Sequence, residues 1–148
     1  MNSDDMLKLE NQLCFPLYAA AKDVVGRYKP LLDALDLTYT QYITMMVLWD
    51  RLSVSEKELG SALFLDSGTL TPLIKRLEGK GFIKRERSAA DERIVNVTLT
   101  DDGAKLKEKA RDIPARLAGC LPLAHEEAGV LYRLLYKILR QPECARET

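Results

Sequence analysis

The sequence predicts a mainly α-helical fold: a winged helix-turn-helix with a two-stranded β-wing, in which N- and C-terminal helices form a homodimerisation region. Three observations support this prediction. A helix with a polar outer face begins near Ser67, two short β-prone runs follow Gly81, and long amphipathic segments open and close the chain. The length of 148 residues suits one domain, which we expect to span 1–148.

The first third of the chain is predicted to be helical. Apolar residues recur at spacings of three and four over residues 4–28 and predict an amphipathic helix. Pro16 falls inside it and should produce a kink or a loosened turn close to Cys14, because proline lacks a backbone donor and crowds the preceding turn. We expect a short helix over 30–37 and a buried central helix over 39–52.

A helix-turn-helix pair is predicted next. Ser55 and Glu58 form a capping box that opens a short helix running through Phe64. The second helix begins near Ser67, and its apolar residues recur at helical spacing: Leu70, Leu73, Ile74 and Leu77. Small or charged residues are left free to face a partner: Ser67, Gly68, Thr69, Thr71, Lys75, Arg76 and Lys80.

The remaining elements are a wing and two closing helices. Two strands, 83–87 and 95–100, are predicted around a turn at 88–92, and this hairpin carries Arg85, Arg87 and Arg93. Thr100, followed by two aspartates, caps a helix that should run to about Ala118. The chain restarts at Pro122 and closes with an amphipathic helix over 124–139.

The distribution of charge points to nucleic acid, although the net charge is zero. Between Lys75 and Arg87 there are six cations and only Glu78 and Glu86 as carboxylates, a local excess that a dimer would double. A solvated helix face could produce such a run as well. Hydroxyls and cations suit base edges and phosphates, so we expect residues 39–100 to bind double-stranded DNA.

Composition argues against several other classes of protein. No apolar run reaches the length of a membrane helix, and the opening residues lack the layout of a signal peptide, so we expect a cytoplasmic protein that does not bind membranes. Three cysteines and one histidine argue against a disulfide scaffold and against a metal site. We expect no cofactor.

The motifs together resemble the MarR family of winged-helix regulators, and more closely its organic-hydroperoxide-sensing branch. The resemblance spans residues 9–139 and rests on four segments in order: 10–15, 28–33, 64–72 and 91–93 ahead of 99–100. It implies a homodimeric repressor, not an enzyme, with dimerisation helices at 4–37 and 101–140. The dimer would read a pseudo-palindromic operator whose half-sites lie about 34–36 Å apart.

The resemblance also implies how the DNA is held. The helix near Ser67 would enter the major groove, and Arg93 at the wing tip would enter a flanking minor groove, where an arginine is favoured by the negative potential. Asp66 and Asp91 would support the wing.

Cys14 matches the peroxide sensor of that branch. The resemblance implies that Tyr28 and Tyr39 of the other subunit hydrogen-bond its sulfur, with Tyr18 also nearby, and phenol donors stabilise the reactive thiolate. Apolar neighbours would favour an organic hydroperoxide as inducer. Cys120 stands where some members carry a resolving cysteine, which would form a disulfide with oxidised Cys14 of the partner. Cys144 matches nothing in the family.

Other interpretations of these residues stay open. Cys14 on an apolar face could be an inert core residue, Cys120 a small residue near the surface, and the tyrosines ordinary core packing. A MarR-type repressor released by a small aromatic ligand would leave Cys14 a bystander. A thiol peroxidase is disfavoured, because no histidine or arginine stands near Cys14 to activate a peroxide.

Overall fold

The computed structural model describes residues 3–140 and has the elements expected of a winged helix-turn-helix. The elements are α1 (Ser3–Met6), a 3-10 turn (Leu9–Asn11), α2 (Cys14–Asp33), α3 (Tyr39–Arg51), β1 (Ser53–Ser55), α4 (Glu56–Leu63), α5 (Ser67–Gly79), β2 (Ile83–Arg87), β3 (Val95–Leu99), α6 (Asp101–Ala110), α7 (Ile113–Ala118) and α8 (His125–Leu139). The chain divides after Pro114 into two compact units. Within the described residues, no helix is both long and apolar enough to span a membrane.

The N-terminal helix begins later than predicted. The side chain of Asn11 donates to the carbonyl of Asp5 at 2.7 Å, and Gln12 donates to the carbonyl of Met6, so local side-chain bonds replace helical ones before Cys14. Pro16 therefore stands in the first turn of α2, where the backbone N–H groups have no helical partner in any case. The expected disturbance near Cys14 is therefore an interruption just before the helix begins, as the loosened-turn alternative predicts, and not a kink at Pro16 within a continuous helix.

The separate short helix predicted over 30–37 is also wrong, because α2 continues through Pro30 to Asp33. Leu32 is 1% exposed and Leu35 lies in the same core. Burial of these side chains outweighs the weak helix preference around the proline, since tertiary packing supplies most helical stability.

The core of the first unit forms around the central helix α3. Six of its residues are buried: Gln41, Tyr42, Thr44, Met45, Leu48 and Trp49. The indole Nε1 of Trp49 donates to the carbonyl of Gly103 at 2.8 Å and so ties α3 to the start of α6. The buried central helix is confirmed.

The helix-turn-helix pair is confirmed by α4 and α5. Ser55 and Glu58 form the predicted capping box, with Ser55 N–H donating to Glu58 at 2.9 Å and Glu58 N–H donating to Ser55 Oγ at 3.2 Å. The predicted apolar stripe of α5, from Leu70 to Leu77, is buried. Gly81 ends the segment with a φ of +78°, a value that favours glycine.

The wing hairpin is confirmed, but it belongs to a sheet of three strands in the order β1, β3, β2. In the antiparallel β2–β3 pair, Arg85 lies opposite Val97. Because β3 lies between the other two strands, β2 forms one edge of the sheet. The strand β1 was not predicted. It pairs Val54 with Val97, and the Ser53 and Thr98 hydroxyls bond across it at 2.8 Å.

The helix predicted to run to Ala118 is broken into α6 and α7. Pro114 explains the break, because in a continuous helix its ring would clash with the carbonyl of Ala110; instead it occupies the first turn of α7. In the second unit, α8 leaves large apolar side chains exposed: Val130, Leu131, Tyr132, Leu134, Ile138 and Leu139.

Candidate DNA interface and thiol site

The outer face of α5 presents the polar residues that the sequence singled out. Ser67, Gly68 and Thr69 are exposed at its N-terminus, and Lys75 and Arg76 are exposed two turns later. Among residues 4–140, neither cation makes an ion pair. Thr71 is half-buried. This face therefore carries hydroxyls at its N-terminal end and unneutralised positive charge two turns later, at Lys75 and Arg76.

Asp66 caps this helix rather than supporting the wing, which corrects the expectation from the sequence. Its carboxylate accepts from Thr69 N–H at 2.8 Å and from the Thr69 hydroxyl at 3.1 Å. These bonds, the backbone bond first, lower the pKa of Asp66. A Cβ at position 68 would lie 3.1 Å from the same carboxylate, so Gly68 lets the cap approach closely.

Asp91 makes two hydrogen bonds within the turn at the wing tip. Its carboxylate accepts from Arg93 N–H at 3.0 Å, and its carbonyl accepts from Ile94 N–H at 2.9 Å. The side chain of Arg87 donates to the carbonyl of Glu92 at 3.1 Å. Arg93 is exposed. Hydrogen bonds within the turn thus fix its backbone, and the Arg93 guanidinium is exposed and available to a partner.

Two cations of the predicted basic run are occupied inside the fold. Arg85 is bound by Glu78, a residue that the sequence analysis counted only as a negative charge. Lys80 donates to the backbone carbonyl of Asp36 and pairs with its carboxylate at 3.0 Å. In the sequence, the Arg85–Glu78 pair is signalled only by two opposite charges that stand seven residues apart on either side of the Gly81 turn.

A groove of about 680 Å³ runs between α4, the start of α5 and the segment that leads from the wing tip into β3. Ser67 and Arg93 lie on its lining, on the helix and wing sides respectively, and the exposed side chains of Phe64 and Ile94 also line it. Helix α5 and the wing therefore flank one shared depression.

Cys14 is an exposed thiol at the first residue of α2. The side chains around it in sequence are apolar and exposed as well: Leu13, Phe15, Leu17 and Tyr18. The interpretation of Cys14 as an inert core residue is therefore wrong. Met45 on α3 is fully buried in the core of the first unit.

The tyrosines form an aromatic cluster at the other end of α2. The ring of Tyr28 lies 4.8 Å from that of Tyr39 and 5.7 Å from that of Tyr42. Burial, then the neighbouring phenols, raise the pKa of Tyr28 to about 12, and burial raises the pKa of Tyr39. Both phenols therefore stay protonated and can donate a hydrogen bond at neutral pH.

Tyr28 and Cys14 of one chain cannot meet. They stand on the same helix, fourteen residues and roughly 21 Å apart along its axis. Any bond between these phenols and the sulfur must come from a second copy of the chain. Tyr18 lies one turn from Cys14 on α2.

Cys120 is exposed in the second unit, and its Sγ donates to the carbonyl of Arg116 at 3.3 Å. It follows the end of α7 at Ala118, as the sequence suggested for a helix boundary. Cys144 lies outside the described residues. No group of three or more metal-ligating side chains is found in the described part of the chain.

Comparison with known proteins agrees with this architecture. The profile of the SarA/Rot transcriptional regulators matches residues 27–110. The organic hydroperoxide resistance transcriptional regulator of Bacillus subtilis is 49% identical over 138 residues, which cover 93% of this chain and 94% of that protein.

Solved structures of AbfR from Staphylococcus epidermidis are also similar. The reduced form bound to DNA is 34% identical with a TM-score of 0.77, over 93% of this chain and 96% of that one. The form with a disulfide is 33% identical with a TM-score of 0.61, over 92% of each chain. With these matches over most of its length, the chain belongs to the MarR family of winged-helix transcriptional regulators, in the branch of the organic hydroperoxide resistance regulators.

Proposed function

We propose that the chain is a homodimeric cytoplasmic repressor that releases a pseudo-palindromic operator when an organic hydroperoxide oxidises Cys14. One observation carries the sensing part: the Cys14 thiol is exposed at the start of α2 among exposed apolar side chains. A thiol in that setting lies outside the core of its own subunit, and the apolar side chains beside it offer contact to the organic part of a hydroperoxide.

The chemistry begins with the thiolate of Cys14 attacking the terminal oxygen of the hydroperoxide. The O–O bond breaks, the sulfur becomes a sulfenic acid, and the organic group leaves as an alcohol after taking up a proton. Protonated phenols are suited to stabilise the thiolate, because a hydrogen bond to the charged form favours that form. Tyr28 and Tyr39 of the partner subunit are proposed for this role, with Tyr18 beside the sulfur.

Cys120 is proposed as the resolving thiol. Its sulfur would attack the sulfenic acid of Cys14 in the partner subunit, forming a disulfide and releasing water. The exposure of both sulfurs supports the proposal. The similar protein AbfR has been solved reduced on DNA and in a disulfide form, so a relative exists in both states.

DNA binding is proposed for the exposed polar face of α5 and for the wing. Ser67, Gly68, Thr69, Thr71, Lys75 and Arg76 would contact the major groove, and Arg87 and Arg93 the backbone and the minor groove. The groove between helix and wing would then receive the sugar-phosphate ridge that separates the two DNA grooves.

The dimer is proposed from two apolar surfaces. Leu13, Phe15 and Leu17 near the start of α2 are at least one-third exposed, and α8 leaves its own apolar face exposed. Exposed apolar faces of this kind mark association surfaces.

The test uses thiol variants in an operator-release assay with cumene hydroperoxide. Cys14→Ser should bind DNA as tightly as the wild type and lose peroxide-driven release, whereas Cys144→Ser, the matched control, should respond normally. Release that persists in Cys14→Ser would refute the sensor assignment. Cys120→Ser should lose the peroxide-induced dimer band on a non-reducing gel, and an unchanged band would exclude it as the resolving cysteine.

A second candidate function is a repressor that a small aromatic ligand releases from DNA, with Cys14 taking no part in sensing. A cavity of about 360 Å³ favours it, lined by residues that include Val25, Leu32, Leu37 and Tyr39 beside the Lys29–Asp33 ion pair. Its volume suits a small organic molecule. Titration of salicylate into the Cys14→Ser variant separates the two, since only the second candidate predicts release there.

A further inference from the structure

Helix α5, the recognition helix of the proposed function, is joined to the wing through the carboxylate of Glu78, which makes one ion pair and one backbone hydrogen bond to Arg85. The carboxylate of Glu78, at the end of α5, accepts from Arg85 Nε at 2.8 Å and from the backbone N–H of Arg85 at 2.9 Å. Since β2 is an edge strand, that N–H has no strand partner, and Glu78 supplies one. Arg85 Nη1 also lies 3.9 Å from Glu56 at the start of α4.

This pair is more sheltered than the other ion pair of the wing. The side chains of Arg85 and Glu78 are 25% and 34% exposed, while those of Lys84 and Glu86 are 66% and 58% exposed. Arg85 is therefore turned into the junction between α4, α5 and β2. It is poorly placed to reach a phosphate.

We propose that Glu78 and Arg85 are positioning residues that fix the wing to the recognition helix for DNA binding. The inference rests on the DNA-binding half of the proposed function. Arg85 is the middle residue of β2, so the pair fixes the hairpin halfway between the Gly81 turn and the Arg93 tip. Without it the hairpin would have to be ordered on binding, and that ordering reduces affinity.

The sign of the effect separates positioning from simple electrostatics. Glu78 carries a negative charge beside the proposed DNA surface, so removing that charge should strengthen binding if the charge only repels phosphate. If Glu78 holds the wing, removing the charge should weaken binding. Glu86 lies on β2, is paired with Lys84, and provides a matched control with the same change in charge.

The experiment measures affinity for a duplex that the reduced wild-type chain selects from a random-sequence library. We expect Glu78→Gln to weaken binding about tenfold, because a charge-assisted bidentate contact is lost, and Glu86→Gln to bind as the wild type or more tightly. Glu78→Asp keeps the charge and shortens the reach, so it should also weaken binding; it replaces Glu78→Gln if that variant unfolds. Binding by both Glu78 variants as tight as that of Glu86→Gln would overturn the proposal.

A double-variant cycle tests whether the two residues act through each other. Arg85→Gln should weaken binding with an unchanged salt dependence, and adding Glu78→Gln to it should cost little more. A salt slope lowered by about one unit in Arg85→Gln would instead make it a phosphate contact and overturn the proposal. If Lys75→Ala and Arg93→Ala both bind like the wild type, the DNA-binding surface itself is wrong, a failure distinct from that of the positioning role.

Discussion

The close approach of α6 to Phe82, the residue before β2, yields a strong prediction for Gly103→Ala. A Cβ at position 103 would lie 2.1 Å from the carbonyl oxygen of Phe82 and 2.8 Å from a methyl carbon of Leu99. The first obstacle is backbone, which no rotamer change can remove. The helix and the Phe82 segment would have to separate by about 1 Å or more to restore an ordinary contact.

That separation would strain three hydrogen bonds at once. Trp49 Nε1 donates to the Gly103 carbonyl at 2.8 Å, Gly103 N–H donates to Thr100 Oγ1 at 3.1 Å, and Thr100 N–H donates to the Phe82 carbonyl at 3.1 Å. Overpacking with partial loss of these bonds should cost about 2–3 kcal/mol. For a chain of this size, this lowers the thermal midpoint by about 5–10 °C.

The assay is thermal unfolding at one fixed protein concentration, because the stability of a dimer depends on concentration. Gly79→Ala is the matched control, since a Cβ there meets nothing within 4 Å. Its midpoint should stay the same or rise slightly. A Gly103→Ala protein that melts at the wild-type temperature would refute the argument from close approach.

The remaining predictions concern DNA contact and pH. Arg93→Ala should weaken DNA binding and lower the slope of log affinity against log salt by about one unit, measured by titration at several salt concentrations; Lys105→Ala on α6 should change neither. Hydrogen bonds from Ser55 lower the pKa of Glu58 below 4.5, so this carboxylate contributes stability above that pH, and the contribution is lost as the pH falls through the folded pKa. Glu58→Gln keeps the capping geometry but cannot titrate, so its thermal midpoint should fall less below about pH 4.5 than that of the wild type. An identical acid profile would contradict this reasoning.

Much of the fold could be predicted from local signals. The apolar stripe of α5 and the Ser55–Glu58 capping box are set by residues within one or two turns of each other, and both are confirmed. The hairpin over residues 83–99 likewise follows from β-prone runs on either side of one turn. These features need no knowledge of distant parts of the chain.

The features that were missed depend on distant partners or on competing local bonds. The strand β1 is three residues long and exists because Val54 meets Val97, forty-three positions away. The late start of α2 depends on the hydrogen bond from the Asn11 side chain to the carbonyl of Asp5. The spacing of apolar residues carries no information about such a bond. The break before α7 could have been found, since Pro114 was visible in the sequence.

Contacts within the fold also change how many cations of the basic cluster are available to DNA phosphates. The sequence offers six cations between Lys75 and Arg87, but Lys80 and Arg85 hold elements of the fold together, and Lys84 is paired with Glu86. If Lys75, Arg76, Arg87 and Arg93 are the phosphate-facing cations, a dimer presents about eight, and the slope of log affinity against log salt should be near −7. Adding Lys80 and Arg85 would bring the slope near −11. A slope at the steeper value would mean that both internal ion pairs open on DNA, and the positioning role of Arg85 would then have to be abandoned.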